Sequence, residues 1–259
     1  MKPSTPARLN AALAWVLLVF LVAPALVAIP VSLTPERFLS FPSGEFSLRH
    51  YEKLFGSPEW MSSFWQSAVI GTASTALATA IGTLCAIGLW RVSSKAGEVV
   101  RAVLLLPLVI PPIIAAMAFY RLFVPLGLID SYPGLILAHT VLSAPLVLIT
   151  VSASLAGFDA RLEQASRNLG ASSWTTMRRV ILPGITAHIL TGVRLAIGLI
   201  WIVLVPAEML GVSAGLGYYI LDTRDRLAYD ELMAVILFIG ALGYALDALA
   251  RAVHARWSH

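Results

Sequence analysis

The sequence predicts an all-α, polytopic membrane protein with six transmembrane helices and both termini in the cytoplasm. Hydrophobic residues make up 58% of its 259 residues and charged residues only 12%, and the mean hydropathy is +0.83. This composition excludes a soluble protein and is typical of an integral membrane protein with several spans. The apolar residues fall into six runs, and the basic residues gather in the segments that six crossings would place on one side.

The first apolar run follows a polar N-terminal segment, residues 1–10, which carries Lys2 and Arg8. A basic start before an apolar run is also the pattern of a cleaved signal peptide. The run from about 11 to 31 is longer than a usual signal core, and further spans follow it. The sequence therefore favours a retained first span, followed in residues 32–63 by a loop and one helix along the membrane surface.

The other five runs are also long enough to cross a hydrocarbon layer of about 30 Å as helices. The second span is rich in Ala, Gly, Ser and Thr, which allows close helix contact in lipid. The third contains Pro107, Pro111 and Pro112, which remove backbone hydrogen bonds and predict a kinked helix. A polar loop over 211–231 precedes the last span. Within one predicted membrane domain, 11–259, the six spans cover about residues 11–31, 64–90, 102–123, 134–156, 185–210 and 232–250.

The distribution of basic residues predicts the orientation of these spans. With both termini inside, eleven lysines and arginines lie in inner segments and five lie in outer segments. An excess of lysine and arginine marks cytoplasmic loops. The long polar interval between the fourth and fifth spans, residues 159–183, is therefore predicted to be cytoplasmic.

This interval, from Asp159 to Pro183, predicts a helix, a tight turn and a second helix. Asp159 can cap the first helix, and Gly170 stands where a left-handed residue would end it. Ser172 or Ser173 can cap the second helix, which Pro183 is expected to terminate. Small side chains in the interval would let another protein approach the backbone closely, and these are Ala165, Ser166, Gly170 and Ala171.

The spacing of residues in this interval follows a longer pattern. Gln-Ala-Ser at 164–166 is followed after three residues by Gly170, after nine more by Val180, and after one more by Leu-Pro at 182–183. This resembles the signature loop of ATP-binding-cassette importer permeases, which reads Glu-Ala-Ala, Gly, Ile and Leu-Pro at the same spacing. The resemblance implies that the loop couples the chain to an ATPase subunit. The predicted coupling residues are Glu163, Gln164, Ala165, Ser166, Gly170, Ala171, Leu182 and Pro183.

Three positions depart from the family pattern, because Gln164 replaces Glu, Ser166 replaces Ala and Val180 replaces Ile. The first departure matters most, since the resemblance implies that the family's carboxylate helps to seat the loop on the ATPase. Glu163, one place earlier, is expected to substitute for that carboxylate in part.

The resemblance extends from about residue 60 to the end and points to two branches of the family. Residues 64–170 are similar to polyamine-type and iron-type permeases, whereas residues 184–257 are similar to nitrate, taurine and alkanesulfonate permeases. The second likeness has more weight for the solute, because the fifth span commonly lines the path in this fold. The resemblance thus implies a small anion first, and a polyamine-like or amino-acid-like solute as the alternative. The stretches that carry these likenesses are Leu104–Pro112, Gly134–Leu142, Ile189–Gly198, Ala207–Gly211, Gly215–Tyr218 and Arg256–Trp257.

The resemblance also implies a fold and a set of partners. These are the type I importer transmembrane-domain fold in the bacterial inner membrane, a second copy of this chain that completes a permease homodimer, two ATPase subunits and a periplasmic solute-binding protein. The sequence contains no Gly-x-x-x-x-Gly-Lys-Ser/Thr motif, so ATP hydrolysis is assigned to the separate subunit and the chain is not expected to be an enzyme. No cofactor, metal or nucleic acid is expected.

Ionisable and polar residues inside the spans are candidates for the translocation path. Glu208 in the fifth span has three open roles: it faces the path, pairs with a basic group, or reaches water at the outer boundary. Arg194 either lines the path or extends its head group to the membrane boundary. His139 and Ser143 in the fourth span either line a polar path or form a hydrogen bond between helices. Asp247 in the sixth span is expected to pair with an arginine.

Two other classes of function compete with the importer permease. An ATP-independent channel or secondary carrier would usually show an internal repeat of spans, and none is evident in the sequence. An intramembrane enzyme would need a nucleophile and a base, or a metal site, within the spans. The sequence shows no such constellation, and its five histidines are scattered.

Overall fold

The chain is almost entirely helical. The computed structural model describes residues 5–36, 38, 40–92 and 94–257, and Lys2 of the predicted N-terminal segment lies outside them. All the regular structure in these residues is helical, which confirms the predicted all-α fold. The helices are α1 (Thr5–Ser32), α2 (Arg49–Gly56), α3 (Pro58–Arg91), α4 (Lys95–Val109), α5 (Pro112–Leu126), α6 (Tyr132–Ala156), α7 (Ala160–Asn168), α8 (Ser173–Thr176), a π-helical segment (Met177–Ile181), α9 (Leu182–Gly211), α10 (Leu216–Asp225) and α11 (Tyr229–Trp257).

Among the described residues, five helical segments are long and apolar enough to cross a membrane, and α4 with α5 make a sixth if this bent pair is one span. The six predicted spans are reached when this bent pair is counted as one span. The most apolar stretch of α1 has no residue buried within the chain. The five segments are Asn10–Ser32, Pro58–Arg91, Tyr132–Ala156, Ser173–Leu210 and Glu231–Trp257.

The third predicted span is not one kinked helix but two helices, α4 and α5, bent by 106°. The break falls at Ile110 and Pro111, whose ψ angles of 127° and 136° are extended. Two consecutive prolines remove two backbone donors, and each forces the residue before it out of the helical region. The pair Pro111–Pro112 therefore ends one helix and begins the next, since Pro112 occupies the first turn of α5.

Two further boundaries differ from the prediction. The predicted surface helix in residues 32–63 is present as α2, and α3 begins at Pro58, six residues before the second predicted span. The predicted polar loop over 211–231 is wrong in part, because it contains the ten-residue helix α10. Its apolar-polar mixture, Leu-Gly-Tyr-Tyr-Ile-Leu-Asp-Thr-Arg-Asp, lacks the long apolar run by which the spans were recognised.

The contacts divide the chain into two compact units, and the prediction of a single domain for 11–259 stays a prediction. The first unit comprises residues up to Ser62 and Tyr219–Leu242. Its centre is aromatic: the ring of Trp60 packs edge-on against the rings of Tyr219 and Phe238, with centroids 5.2 and 5.3 Å apart. An ion pair between Lys53 of α2 and Glu231 of α11 joins two elements of this unit.

The second unit comprises Ser63–Tyr218 and the residues from Gly243 onward, and its core is built on α6. Glycines let neighbouring helices approach α6 closely. A Cβ at Gly82 of α3 would lie 2.7 Å from Val147 Cβ, and one at Gly192 of α9 would lie 2.8 Å from Thr150 Oγ1. Close packing through small residues is the usual basis of helix association in lipid. The most deeply buried apolar residues of this core are Ala86, Val147, Val151, Ile181, Ile185 and Ala196.

Candidate coupling loop and intramembrane polar groups

The interval 159–183 forms the predicted helix, turn and helix. Asp159 caps α7 by accepting a hydrogen bond from the Arg161 amide at 2.9 Å. Gly170 has a φ of +81°, the left-handed conformation in which a side chain would be strained. Ser172 caps α8 by accepting from the Thr175 amide at 3.2 Å. The predicted caps and turn are therefore confirmed.

The expectation that Pro183 terminates the second helix is wrong. The helical backbone runs from Ser173 through the π-helical segment 177–181 into α9 without a break. Pro183 lies in the first turn of α9. A π-helical turn widens the backbone, which accommodates a proline ring that would otherwise clash with the carbonyl of Arg179, four residues earlier. The candidate coupling loop, residues 159–183, is thus joined directly to a helix that is long and apolar enough to cross a membrane.

Glu163 is held within the chain. Its Oε1 accepts hydrogen bonds from Arg91 at the end of α3 and from Arg167 of α7, both at 2.7 Å. Partial burial raises the pKa of Glu163, but the hydrogen bonds and charges of the two arginines outweigh it and hold the pKa below its ordinary value of 4.5. The geometry therefore does not support the expectation that Glu163 substitutes for the family's carboxylate. Gln164, at the position of that carboxylate, is exposed.

The solvent-exposed surface of residues 159–183 is more apolar than the sequence analysis anticipated. Leu169 and Trp174 are 88% and 71% exposed, and Leu162 of α7 is also exposed. Of the predicted coupling residues, Gln164, Ala165, Gly170 and Pro183 are exposed, whereas Glu163, Ser166, Ala171 and Leu182 are partly buried. The sequence analysis missed Leu169 and Trp174, although large apolar residues in a polar interval are a recognisable signal.

Glu208 is fully buried, and a network of hydrogen bonds surrounds its carboxylate. Ser67 Oγ of α3 lies 2.7 Å from both carboxylate oxygens, and the Gly217 amide donates to Oε2 at 3.1 Å. Ser67 Oγ in turn accepts from the Leu216 amide at 2.9 Å. Because Leu216 and Gly217 begin α10, the carboxylate supplies negative charge where the helix dipole is positive.

This placement excludes two of the three roles left open for Glu208. Its carboxylate reaches no water at a boundary, and no basic side chain among the described residues pairs with it. Direct solute contact is not supported in this conformation either, since Glu208 is enclosed. The carboxylate instead packs against the turn at Gly215, just before α10. Gly215 has a φ of +116°, and a Cβ there would lie 2.7 Å from either carboxylate oxygen. The sequence analysis missed Ser67, which no motif marks.

Arg194 of α9 and Asp247 of α11 form an ion pair, with Arg194 Nε 2.8 Å from Oδ1. The second oxygen of Asp247 binds Arg251 one turn further along α11. The predicted pairing of Asp247 with an arginine is confirmed. Each of the three side chains keeps between 37% and 44% of its surface exposed, so two guanidinium groups and one carboxylate present a net positive charge at the surface of this unit.

His139, Ser143 and the neighbouring Thr140 are buried, with at most 4% of each residue exposed. His139 Nδ1 lies 2.7 Å from the Leu135 carbonyl of its own helix. His139 Nε2 and the hydroxyls of Thr140 and Ser143 have no hydrogen-bond partner. No direct hydrogen bond between helices is therefore present at these three atoms, and a role for His139 and Ser143 in the path stays a prediction. No group of three or more metal-ligating side chains occurs in the part of the chain that the structure describes.

Comparison with known protein families decides what this architecture is. The family described as binding-protein-dependent transport system inner membrane component matches residues 78–259. The chain belongs to this family. The matched range includes residues 159–183, α9 and α11, so the recognised family is confirmed, whereas the coupling role of residues 159–183 stays a prediction.

This inner-membrane permease is similar to importer permeases with different solutes. It is 32% identical over 176 residues to the spermidine/putrescine permease PotC of Haemophilus influenzae, and the match covers 68% of each chain. It is 38% identical over 137 residues to a molybdenum ABC transporter permease of Haloferax volcanii, covering 50% of this chain and 51% of the relative. It is 34% identical over 105 residues to the aliphatic sulfonates permease SsuC of Bacillus subtilis, covering 40% and 38%.

The fold of this permease matches that of a solved importer. The crystal structure of a bacterial ABC transporter involved in the import of alginate aligns with a TM-score of 0.76 at 19% identity, over 98% of this chain and 95% of the other. At this identity the likeness concerns the fold. The chain is therefore an ABC importer permease subunit. Its relatives are polyamine, molybdenum and sulfonate permeases, so the solute has to be argued from the residues of this chain.

Proposed function

We propose that two copies of this permease form a path for a small anion delivered by a periplasmic binding protein, and that separate ATPase subunits bind the loop 159–183. In this proposal both termini and the loop face the cytoplasm, as the basic residues predict. The single observation that carries the ATPase contact is the apolar surface of the loop. Leu169 and Trp174 are exposed on the helix–turn–helix, next to the largely polar helix α7.

The loop is built to transmit force to the spans. Glu163 ties α7 to the end of α3 through Arg91, so the loop moves with the helix bundle. The continuous helical segment Ser173–Leu210 contains 38 residues and would extend about 57 Å at the usual rise per residue. One end of this segment carries Trp174, and the other carries Glu208, which holds the start of α10. A displacement of the loop can therefore reach the far end of α9 as a rigid-body motion.

The energy for this motion comes from the ATPase subunits. When ATP closes the ATPase pair, the two loops of a permease dimer are drawn together, and the path changes from inward-facing to outward-facing. ATP acts only through its different affinity for the two states. The family assignment supports this cycle. The exposed apolar surface around Trp174 would lose its water when the ATPase binds, and the motion of the ATPase would pass to the permease through that contact.

A small anion fits the charges of the spans better than a polyamine does. Two acids of α9 and α11 are already engaged: Glu208 accepts from Ser67 and Gly217, and Asp247 binds two arginines. Neither carboxylate is left to bind a cationic solute. Arg194 and Arg251 share a single carboxylate and retain exposed guanidinium donors, which suit an oxyanion. The alternative solute class is a polyamine-like or amino-acid-like compound.

Replacement of Trp174 tests the proposed ATPase contact. We expect Trp174→Ser to lower the amount of ATPase that co-purifies with the permease at least tenfold, because an aromatic anchor of an interface typically contributes 2 kcal/mol or more. Trp257→Ser is the matched control, since Trp257 is 63% exposed at the end of α11, outside the loop. Unchanged co-purification of Trp174→Ser would overturn the contact.

Stimulation of the purified complex tests the solute. Its ATPase rate is measured with binding proteins loaded with a sulfonate, molybdate or spermidine. We expect stimulation by an oxyanion-loaded protein. Stimulation by spermidine alone would assign the alternative solute. A permease that carries solute with no associated ATPase would instead support an ATP-independent channel or carrier.

A further inference from the structure

The second unit contains a cluster of buried polar atoms without partners. They belong to α3 and α6, the two helices whose close approach is made by Gly82. At this level the hydroxyls of Thr79 and Thr83, the hydroxyls of Thr140 and Ser143, and Nε2 of His139 all lack a hydrogen-bond partner. Four of these five residues are at least nine-tenths buried, namely Thr83, His139, Thr140 and Ser143.

Two contacts place these atoms at the same depth. Ser74 Oγ of α3 lies 3.4 Å from the Ile136 carbonyl of α6, and Gly82 of α3 faces the Ala144 carbonyl of α6. The two residues of each contact are separated by the same number of positions in the sequence, so α3 and α6 lie side by side and are parallel. Thr79 and Thr83 therefore lie level with the stretch of α6 that carries Thr140 and Ser143.

The missing partners are not explained by the usual behaviour of hydroxyls in helices. A helical threonine commonly donates to the carbonyl four residues earlier in its own helix. Six threonines in the described part of the chain do so, and their hydroxyls are thereby satisfied. These are Thr72, Thr75, Thr150, Thr186, Thr191 and Thr223. Thr79, Thr83 and Thr140 depart from this behaviour, and their hydroxyls are left for another partner.

His139 defines one half of the chemistry of the cluster. Because its Nδ1 faces a carbonyl oxygen, Nδ1 carries the proton and donates, and Nε2 of the neutral ring is an acceptor. The four hydroxyls both donate and accept. A ligand that satisfies them must itself donate and accept hydrogen bonds without bringing charge into the core.

We infer that Thr79, Thr83, His139, Thr140 and Ser143 form a buried hydration site that holds ordered water between α3 and α6. A buried water makes about three hydrogen bonds, so five atoms call for about two molecules. Without water, each group would lose its hydration on folding and gain no hydrogen bond in return, which is unfavourable in free energy. The site belongs to the helix bundle itself, so its test depends on neither the solute nor the ATPase.

The sign of a stability change distinguishes a wet site from a dry one. Thr83→Val and Thr140→Val preserve side-chain shape and remove one hydroxyl each. If water is bound, each change breaks a bridged network, so the melting temperature of the purified permease falls. The double variant then loses less than the two single losses together, because both act on one network. If the site is dry, each change removes an unsatisfied buried group, so the melting temperature rises.

The matched control is Thr75→Val, one helical turn before Thr79. Thr75 Oγ1 donates to the Gly71 carbonyl at 2.8 Å, so its loss should shift the melting temperature little. A second measurement detects the water directly. X-ray radiolysis in solution oxidises side chains that contact bound water, and we expect His139 to be labelled. His50, equally buried and bonded to the Thr34 carbonyl, is the comparison. A raised melting temperature in both valine variants, or a His139 labelled no more than His50, would overturn the inference.

Discussion

Ser67 and Glu208, which lie 141 residues apart in the chain, share a hydrogen bond in the interior of the second unit, with Ser67 Oγ 2.7 Å from both carboxylate oxygens. The same hydroxyl accepts from the Leu216 amide, and the carboxylate accepts from the Gly217 amide. One buried charge therefore joins α3, the end of α9 and the start of α10. A charge inside a membrane protein is retained when such donors replace its hydration.

Ser67→Ala should destabilise the permease by about 1–3 kcal/mol, because it leaves a buried carboxylate with one donor fewer and the Leu216 amide without its acceptor. The measurement is the unfolding midpoint of the purified protein in detergent. Ser62→Ala is the control, since Ser62 is exposed and bonds only the Glu59 carbonyl of its own helix. Equal midpoints for the two variants would contradict a structural role for the Ser67 hydroxyl.

Glu163→Gln should loosen the coupling loop at neutral pH, because it removes the charge that Arg91 and Arg167 share. Both arginines are partly exposed, so the loss is expected to be no more than about 1 kcal/mol. Limited proteolysis within 159–172 measures the loosening. Glu98→Gln, a change of an exposed glutamate on α4, is the control and should leave the cleavage rate unchanged.

The effect of Glu163 should depend on pH in one direction. Its pKa in the folded protein is below the ordinary value of 4.5, so the folded state favours the charged form. The stabilisation is therefore fully present above about pH 4.5 and is lost as the pH falls through the lower folded pKa. The difference between the native protein and Glu163→Gln should be constant from pH 7 to 5 and shrink at lower pH. A difference that grows on acidification would exclude this assignment.

Gly170→Ala should destabilise the coupling loop by about 1–2 kcal/mol, because a left-handed conformation strains any residue with a Cβ. The space around Gly170 is open, so the cost comes from the backbone and not from a clash. Gly157→Ala is the matched control: Gly157 ends α6 with a φ of −91°, which alanine adopts freely. Proteolysis of the loop and co-purification of the ATPase are the readouts, and equal behaviour of the two variants would contradict the prediction.

The sequence predicted those features of the fold that depend on neighbouring residues. Five of the six spans, the Asp159 and Ser172 caps and the turn at Gly170 follow from local patterns, and each is present. Contacts between distant segments could not be predicted in this way. Nothing local indicates that Glu163 is bound by Arg91, 72 residues away, or that Ser67 meets Glu208.

The errors in the prediction share a second cause, which is the response of the backbone to proline. Two prolines in sequence at Pro111–Pro112 turn a kink into a bend of 106° between two helices. A single Pro183 that was expected to end a helix is accommodated by the π-helical turn before it. Whether the backbone breaks or adjusts depends on the packing around it, and a single sequence does not specify that packing.

Arg194 offers the sharpest test of the proposed anionic solute. If its guanidinium contacts the solute, Arg194→Gln should raise the KM for uptake about tenfold, as expected when a charge-assisted hydrogen bond is lost. Asp247→Asn should have the opposite effect, because it frees Arg194 and Arg251 from the carboxylate that they share. A purely structural ion pair would make both variants equally harmful. Uptake into proteoliposomes separates these outcomes, and the amount of co-purifying ATPase reports whether the complex is intact. The control is Arg256→Gln, which changes an exposed arginine of α11 and should leave the KM unchanged.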